Sequence, residues 1–254
     1  MSAEVLVERF GHVQVIKLNR PSARNALNAG VGRGVAQAID DAEGSDDIRV
    51  SVLTGTGGVF SSGMDLRAFL DGETPEVGER GLCGITVESP SKPLIGAAEG
   101  WALAAGLELL LACDVVIAGA GTRLGLPEVT RGLMAGGGGA ISLPRRIPFA
   151  CAMQMLLTGD PIDAERAAAL GLVSEVVPAG KALERSLEIA NRIGRNGPMA
   201  VRATKAVARL SQDHVAVDIR MIHDDLKRAL VDSRDAREGA RAFAEGRVPE
   251  WSGT

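Results

Sequence analysis

Two glutamates stand out in this chain of 254 residues because of what surrounds them. Glu108 lies in Gly100-Trp101-Ala102-Leu103-Ala104-Ala105-Gly106-Leu107-Glu108-Leu109-Leu110-Leu111-Ala112-Cys113-Asp114. In a helix running from about Ala104, its neighbours one turn away are Ala104, Ala105, Leu111 and Ala112. The other positions carry Gly106, Leu107, Leu109 and Leu110, so the helix has no polar face and must be buried. A carboxylate there is costly unless paired or protonated, and desolvation raises its pKa. That combination suits a proton-transfer group; a glutamate tied to an arginine elsewhere in the core is the structural alternative. Glu128 sits in Gly125-Leu126-Pro127-Glu128-Val129, where proline and glutamate also read as ordinary helix-start chemistry.

A third segment, Gly57-Gly58-Val59-Phe60-Ser61-Ser62-Gly63-Met64-Asp65-Leu66, follows a strand and precedes a helical run with Asp65 as N-cap. Small residues ahead of a helix leave amide hydrogens free to face a developing negative charge, although a plain strand-to-helix turn has the same spelling. Other motifs fail. Gly55-Thr56-Gly57-Gly58 lacks the later glycine of a dinucleotide fingerprint, Gly136-Gly137-Gly138-Gly139 lacks the Lys-Ser/Thr of a P-loop, and no GxSxG elbow occurs. His12, His214 and His223 have no metal spacing. Neither a metal site nor a covalent nucleophile is expected.

These residues need a scaffold, and the pattern supplies an α/β one. Val13–Leu18, Ile48–Leu53, Leu94–Ala98, Val115–Ala118 and Leu172–Val177 read as strands; 28–40 and 102–113 read as helices. Strands alternating with helices argue for an α/β body. From Ala179 the text becomes helical, at 181–193, 198–210, 214–231 and 235–245, which suggests a packing or assembly module.

A net charge of −4 and sparse aromatics exclude a basic, stacking nucleic-acid surface. Cys83, Cys113 and Cys151 are odd in number and scattered, as in a reducing compartment. The apolar run 101–120 is interrupted by Glu108 and Asp114, and residues 1–10 carry acids, so neither a membrane span nor a leader is expected. The expectation is a soluble, cytoplasmic protein.

Taken in order, several blocks resemble the crotonase (enoyl-CoA hydratase/isomerase) superfamily over nearly the whole chain. They are Asn19-Arg20-Pro21, Asn25-Ala26-Leu27, 59–66, Lys92-Pro93-Leu94-Ile95-Gly96-Ala97, Ala104-Ala105-Gly106-Leu107-Glu108 and Leu126-Pro127-Glu128, followed by Leu157-Thr158-Gly159, 168–173 and 236–243. The resemblance implies an α/β, crotonase-like spiral of ββα units over 1–195 that holds an acyl-CoA site, with a C-terminal helical trimerisation region over 196–254. A homotrimer or a hexamer made of two trimers follows from it. It further implies that the amides of Met64 and Ala105 form an oxyanion hole for a thioester enolate. Glu128 would deliver the proton at Cα, and Glu108 would help to activate water. Arg24, Ala26, Ser62, Asp65, Leu66, Arg67 and Gly106 would contact the substrate, with Arg24 and Arg67 as partners for CoA phosphates. Coenzyme A would be part of the substrate, and no separate cofactor is implied. Acids at both positions favour an enoyl-CoA hydratase, adding water syn across a trans-2-enoyl-CoA. A Δ3-Δ2-enoyl-CoA isomerase and a non-catalytic acyl-CoA binding protein are the alternatives.

The chain departs from the family in three places. Ala104-Ala105-Gly106 replaces three glycines and implies a tighter acyl pocket. Ala135 replaces a proline and is followed by four glycines, implying a looser wall. A lysine expected near the C-terminus falls at about Gly246, beside Arg247.

Overall fold

A computed structural model of the chain describes residues 3–211, 229, 233–235, 238, 242, 245 and 247–254. The elements are β1 (Val5–Phe10), β2 (Val13–Leu18), α1 (Ala29–Glu43), β3 (Val50–Gly55), α2 (Leu66–Leu70) and β4 (Leu94–Ala98), then β5 (Trp101–Leu103), α3 (Ala105–Ala112), β6 (Val115–Gly119) and β7 (Arg123–Gly125). There follow α4 (Gly139–Arg146), α5 (Phe149–Thr158), β8 (Ile162–Asp163), α6 (Ala164–Ala169), β9 (Glu175–Val177), α7 (Ala182–Gly194) and α8 (Pro198–Leu210). The helices expected at 214–231 and 235–245 fall largely outside the described residues.

The main sheet runs β1-β2-β3-β4-β6-β9 and a smaller one β5-β7-β8. After the antiparallel β1–β2 hairpin, every pairing in the main sheet is parallel. β4-β5-α3 and β6-β7-α4 repeat one plan: the first strand joins the main sheet, the second joins the small one, and a helix follows. This is the ββα spiral that the family resemblance implies, on the α/β body that the strand and helix pattern predicts.

Alternation along each strand divides the apolar residues between two cores. Val13, Val15, Val50, Val52, Ile95, Ala97 and Ile117 pack with Ala182 and Ala190 of α7. Ile16, Leu18, Leu53, Leu94, Ala98, Val116 and Ala118 face the other way, into the core shared with α1 and α3. Gly96 admits α3 to the sheet, since a Cβ there would lie 2.5 Å from a Leu110 methyl.

Several boundaries differ from the sequence reading. The strand read at 172–177 is Glu175–Val177 alone, the helix read at 28–40 runs to Glu43, and the helix read at 102–113 starts later. Residues 101–103 are strand, not the first turn of a helix, because they pair in parallel with 123–125. The chain turns at Ala104 (φ 50°, ψ −128°) and only then enters α3. β1 escaped the reading because it is a half-exposed edge strand, with Val7 and Phe10 open to solvent.

Asp114, just past α3, ties α8 to this body. One carboxylate oxygen accepts from Arg209 Nη2 at 2.7 Å, and the other meets Lys205 Nζ at 2.7 Å and accepts Leu94 N–H at 2.8 Å. Lys205 is largely buried, so removing its partner strands a charge. Asp114→Ala is expected to cost about 3–5 kcal/mol in urea unfolding.

Candidate active site

The site forms where β3 and β5 deliver the chain to two helix starts. Ser61 and Ala102 make a parallel bridge, with Ser61 N–H donating to Trp101 O (2.9 Å) and Leu103 N–H to Ser61 O (3.0 Å). The two segments therefore run side by side into Gly63-Met64 and Ala104-Ala105. Contact is close: a Cβ on Gly63 would lie 2.7 Å from the Ala104 methyl and 3.5 Å from Ala105 N, and only glycine fits its φ of 101°. Gly106 is equally constrained, since a Cβ there would lie 2.8 Å from Ser61 O.

Neither the Met64 nor the Ala105 amide has a place in the hydrogen-bond ladders. The bridge between Leu27 and Met64 uses Leu27 N–H to Gly63 O (2.8 Å) and Asp65 N–H to Leu27 O (2.8 Å), leaving the Met64 N–H out. Ala105 is the first residue of α3, where no helical acceptor exists for the N–H. Among the described residues these two amide donors, at adjoining turns, have no protein acceptor, which is what holding an oxyanion requires.

Glu108 enters the site from the first turn of α3 and is buried. Among the described residues no arginine meets it. Its Oε1 accepts Gly139 N–H at 2.8 Å, and the Gly137 amide also faces the carboxylate. The glycine run explains itself here: a Cβ on Gly137 would come within 2.7 Å of Glu108 Oε2, and one on Gly139 within 2.9 Å of Oε1. The run is therefore a backbone cradle for Glu108, which corrects the expectation of a loosened wall. Burial pushes Glu108 from an ordinary 4.5 up to about 7; the two amides oppose the rise, and the charges of Glu128 and Glu76 add to it.

Glu128 opens a short 3₁₀ turn over 128–131, after Pro127. Its Oε2 is buried without a hydrogen-bond partner, and burial raises its pKa. A buried carboxyl oxygen left unpaired in this way shifts the group toward its protonated form.

Comparison with known proteins agrees with this geometry. Residues 8–254 match the family model for enoyl-CoA hydratase/isomerase. The chain is 40% identical to "Enoyl-CoA hydratase EchA19" of Mycobacterium tuberculosis, over 98% of this chain and 96% of that one. It is 37% identical to the "2,3-dehydroadipyl-CoA hydratase" of Escherichia coli, over 99% of each. The crystal structure of the enoyl-CoA hydratase EchA1 from Mycobacterium marinum superposes with a TM-score of 0.97 at 47% identity, covering 100% of both chains. The chain belongs to the crotonase superfamily.

Within this crotonase fold the remaining predicted residues sort by exposure and by commitment. Arg24 and Arg67 are exposed, and so is Leu66. Ser62 donates its N–H to Arg24 O at 3.0 Å, and Ala26 is buried beneath the same loop. Asp65 is occupied: Oδ1 caps α2 through Arg67 and Ala68 N–H, and Oδ2 accepts Arg20 Nη1 at 2.9 Å. Arg247 is forked between Glu238 and Glu245.

Two residues beneath the Met64 and Ala105 amides make bonds that local sequence does not announce. Asn25 is buried and donates to Thr56 O (2.9 Å) and Val59 O (2.6 Å), and it accepts Arg20 N–H at 2.8 Å. Ser61 Oγ donates to Asn25 O at 2.8 Å and accepts Gly63 N–H at 3.1 Å, fixing the peptide ahead of Met64. The Asn-Ala-Leu block of the resemblance pointed to Asn25; only the fold shows its bonds.

Two stability effects follow. Because the folded pKa of Glu108 is raised, the native state holds its proton between about 4.5 and about 7 while the unfolded chain does not, so stability falls as pH rises through that window. Glu108→Gln is expected to flatten the fall and to gain on the order of 3 kcal/mol at pH 8, read from urea unfolding across pH. Ala104, a non-glycine residue at φ 50°, is strained. Ala104→Gly is expected to raise stability by about 1 kcal/mol in the same assay.

Proposed function

We propose that the protein is an enoyl-CoA hydratase that adds water reversibly to a trans-2-enoyl-CoA, giving a 3-hydroxyacyl-CoA. The observation that carries this reading is the pair of differently housed acids, Glu108 on two glycine amides and Glu128 with a bare, buried oxygen.

The thioester oxygen sits between the N–H groups of Met64 and Ala105. Glu108, whose cradle favours its ionised form, takes a proton from water as the oxygen bonds to Cβ. The electrons of the double bond pass into the thioester as an enolate, which the two amides stabilise. Glu128 then gives its proton to Cα, and the two carboxyls regain their starting states by exchanging one proton through solvent. Acids on one face of the bound chain give syn addition. An isomerase needs one carboxylate only, and the cradle built for Glu108 is what favours hydration.

Arg24 and Arg67, exposed and without side-chain partners among the described residues, meet the CoA phosphates. Ala26, Ser62, Leu66 and Gly106 shape the channel, and Asp65 acts by capping α2. The helical region over 196–254 assembles the chain into a trimer or a hexamer. Phe149, Leu157 and Ile141, large apolar side chains left exposed on α4 and α5, support an assembly. Three unpaired cysteines support a cytoplasmic location. Among the described residues no helix is long and apolar enough to cross a membrane.

Loss of the enoyl-thioester absorbance of crotonyl-CoA and of longer 2-enoyl-CoAs tests the reading; no turnover at any chain length contradicts it. Glu128→Gln is expected to lower kcat by about 10²–10⁴ with little change in KM, the size of a general acid–base contribution.

A further inference from the structure

Glu108 is held at the start of α4, and the sequence of α4 holds that helix in place poorly. Its eight residues, Gly139–Arg146, fall short of the roughly 12 that an isolated helix needs. Its N-cap, Gly138 (φ 109°), has no side chain to accept the first N–H groups. Pro144 has no N–H, so the carbonyl of Ala140 goes without its helical bond. The placement of α4 therefore has to come from outside it.

Leu143 and Ile147 supply part of it by burial in the core, and hydrogen bonds to α3 supply more. At the start of α4, Gly139 N–H donates to Glu108 Oε1 at 2.8 Å, so a carboxylate from α3 takes the place of the missing cap. At its end, Arg146 Nη2 donates to Leu111 O and Cys113 O, both at 3.1 Å. These carbonyls close α3, where a helix leaves its acceptors unpaired. Each helix thus caps the other, and the two run side by side, tied at both ends. The charged and titratable groups facing Arg146 are Arg209, Cys113 and Asp114. Asp114 is already held by Arg209, Lys205 and the Leu94 N–H. Among the described residues no carboxylate pairs with Arg146, which leaves its donors for the end of α3.

We propose that Arg146 is a positioning residue for proton transfer at Glu108: by tying the end of α4 to the end of α3, it fixes how close the Gly139 N–H sits to the carboxylate. It bonds to α3 at the end away from Glu108 and acts through α4. Loosening the tie lets the amide drift. A buried carboxylate that loses a charge-assisted hydrogen bond is harder to ionise, all the more beside the acids Glu128 and Glu76. The consequence for turnover rests on the hydratase reading; the consequence for Glu108 itself does not.

The test follows the Glu108 carboxyl through pH by ¹³C NMR in wild type, Arg146→Met, Arg146→Lys and Arg209→Met. Arg146→Met is expected to move the midpoint up by about 1 in pH, the size of one such hydrogen bond. Arg146→Lys keeps the charge but cannot fork between two carbonyls, so its midpoint should rise part of the way. Arg209→Met removes a cation and a bond to Ala112 O at the same end of α3, but none to α4, and should leave the midpoint in place. With crotonyl-CoA, the acid limb of the kcat–pH profile of Arg146→Met should move up with the midpoint. That lowers kcat at pH 7 about fivefold with little change in KM. A merely structural role would weaken Arg146→Met toward urea and leave the Glu108 titration unmoved. An unmoved midpoint in Arg146→Lys, or an equal shift in Arg209→Met, overturns the proposal; if Arg146→Met does not fold, Arg146→Lys decides alone. A midpoint that moves as expected in a protein that turns over no enoyl-CoA upholds the positioning role and rejects the hydratase reading.

Discussion

The site depends on one buried carboxylate held by backbone amides. Among the described residues Glu108 has no cationic partner; what keeps it in the core is a pair of glycine amides from the 137–139 run. An arginine would have locked it as a permanent anion. Two neutral N–H groups set against desolvation and two neighbouring acids leave it near neutrality instead, able to take and return a proton at physiological pH. That balance requires the backbone to approach within hydrogen-bond distance on two sides, and a Cβ at either 137 or 139 would collide with the carboxylate.

The rest of the fold serves that placement. The main sheet aims β3 and β4-β5 so that Met64 and Ala105 stand at adjoining turns, with Ser61 and Asn25 bonded beneath them. Gly96 and Gly106 let α3 sink between the sheet and the Ser61 strand, which carries Glu108 inward. Strain at Ala104 is the cost of turning sharply from β5 into α3, and its methyl fills the space against Gly63. Asp114 then anchors α8 at the far end of the same helix.

Glu108 was legible in the sequence because a helix without a polar face makes a lone carboxylate conspicuous. Glu128 was not, since Pro-Glu at a turn is ordinary; its role came from resemblance, and its bare oxygen became visible only in the fold. The glycine run was read as slack because glycine speaks locally of flexibility, whereas its partner here lies about thirty residues away in sequence. The helix start was misplaced for a related reason. Trp101–Leu103 would continue a helix on apolar pattern alone, but pairing with β7 claims it. Long-range hydrogen bonding, and not local propensity, decided each of these cases.

The central claim is that Glu108 stays near neutrality because burial and the charge of Glu128 outweigh its amide cradle. Titration of the glutamate δ-carbons by ¹³C NMR in the intact enzyme, assigned with Glu108→Gln, measures it directly. The account predicts a Glu108 midpoint at about 7 that moves down when Glu128 is replaced by Gln. A midpoint in the ordinary carboxylate range, or one indifferent to the charge at 128, would contradict it.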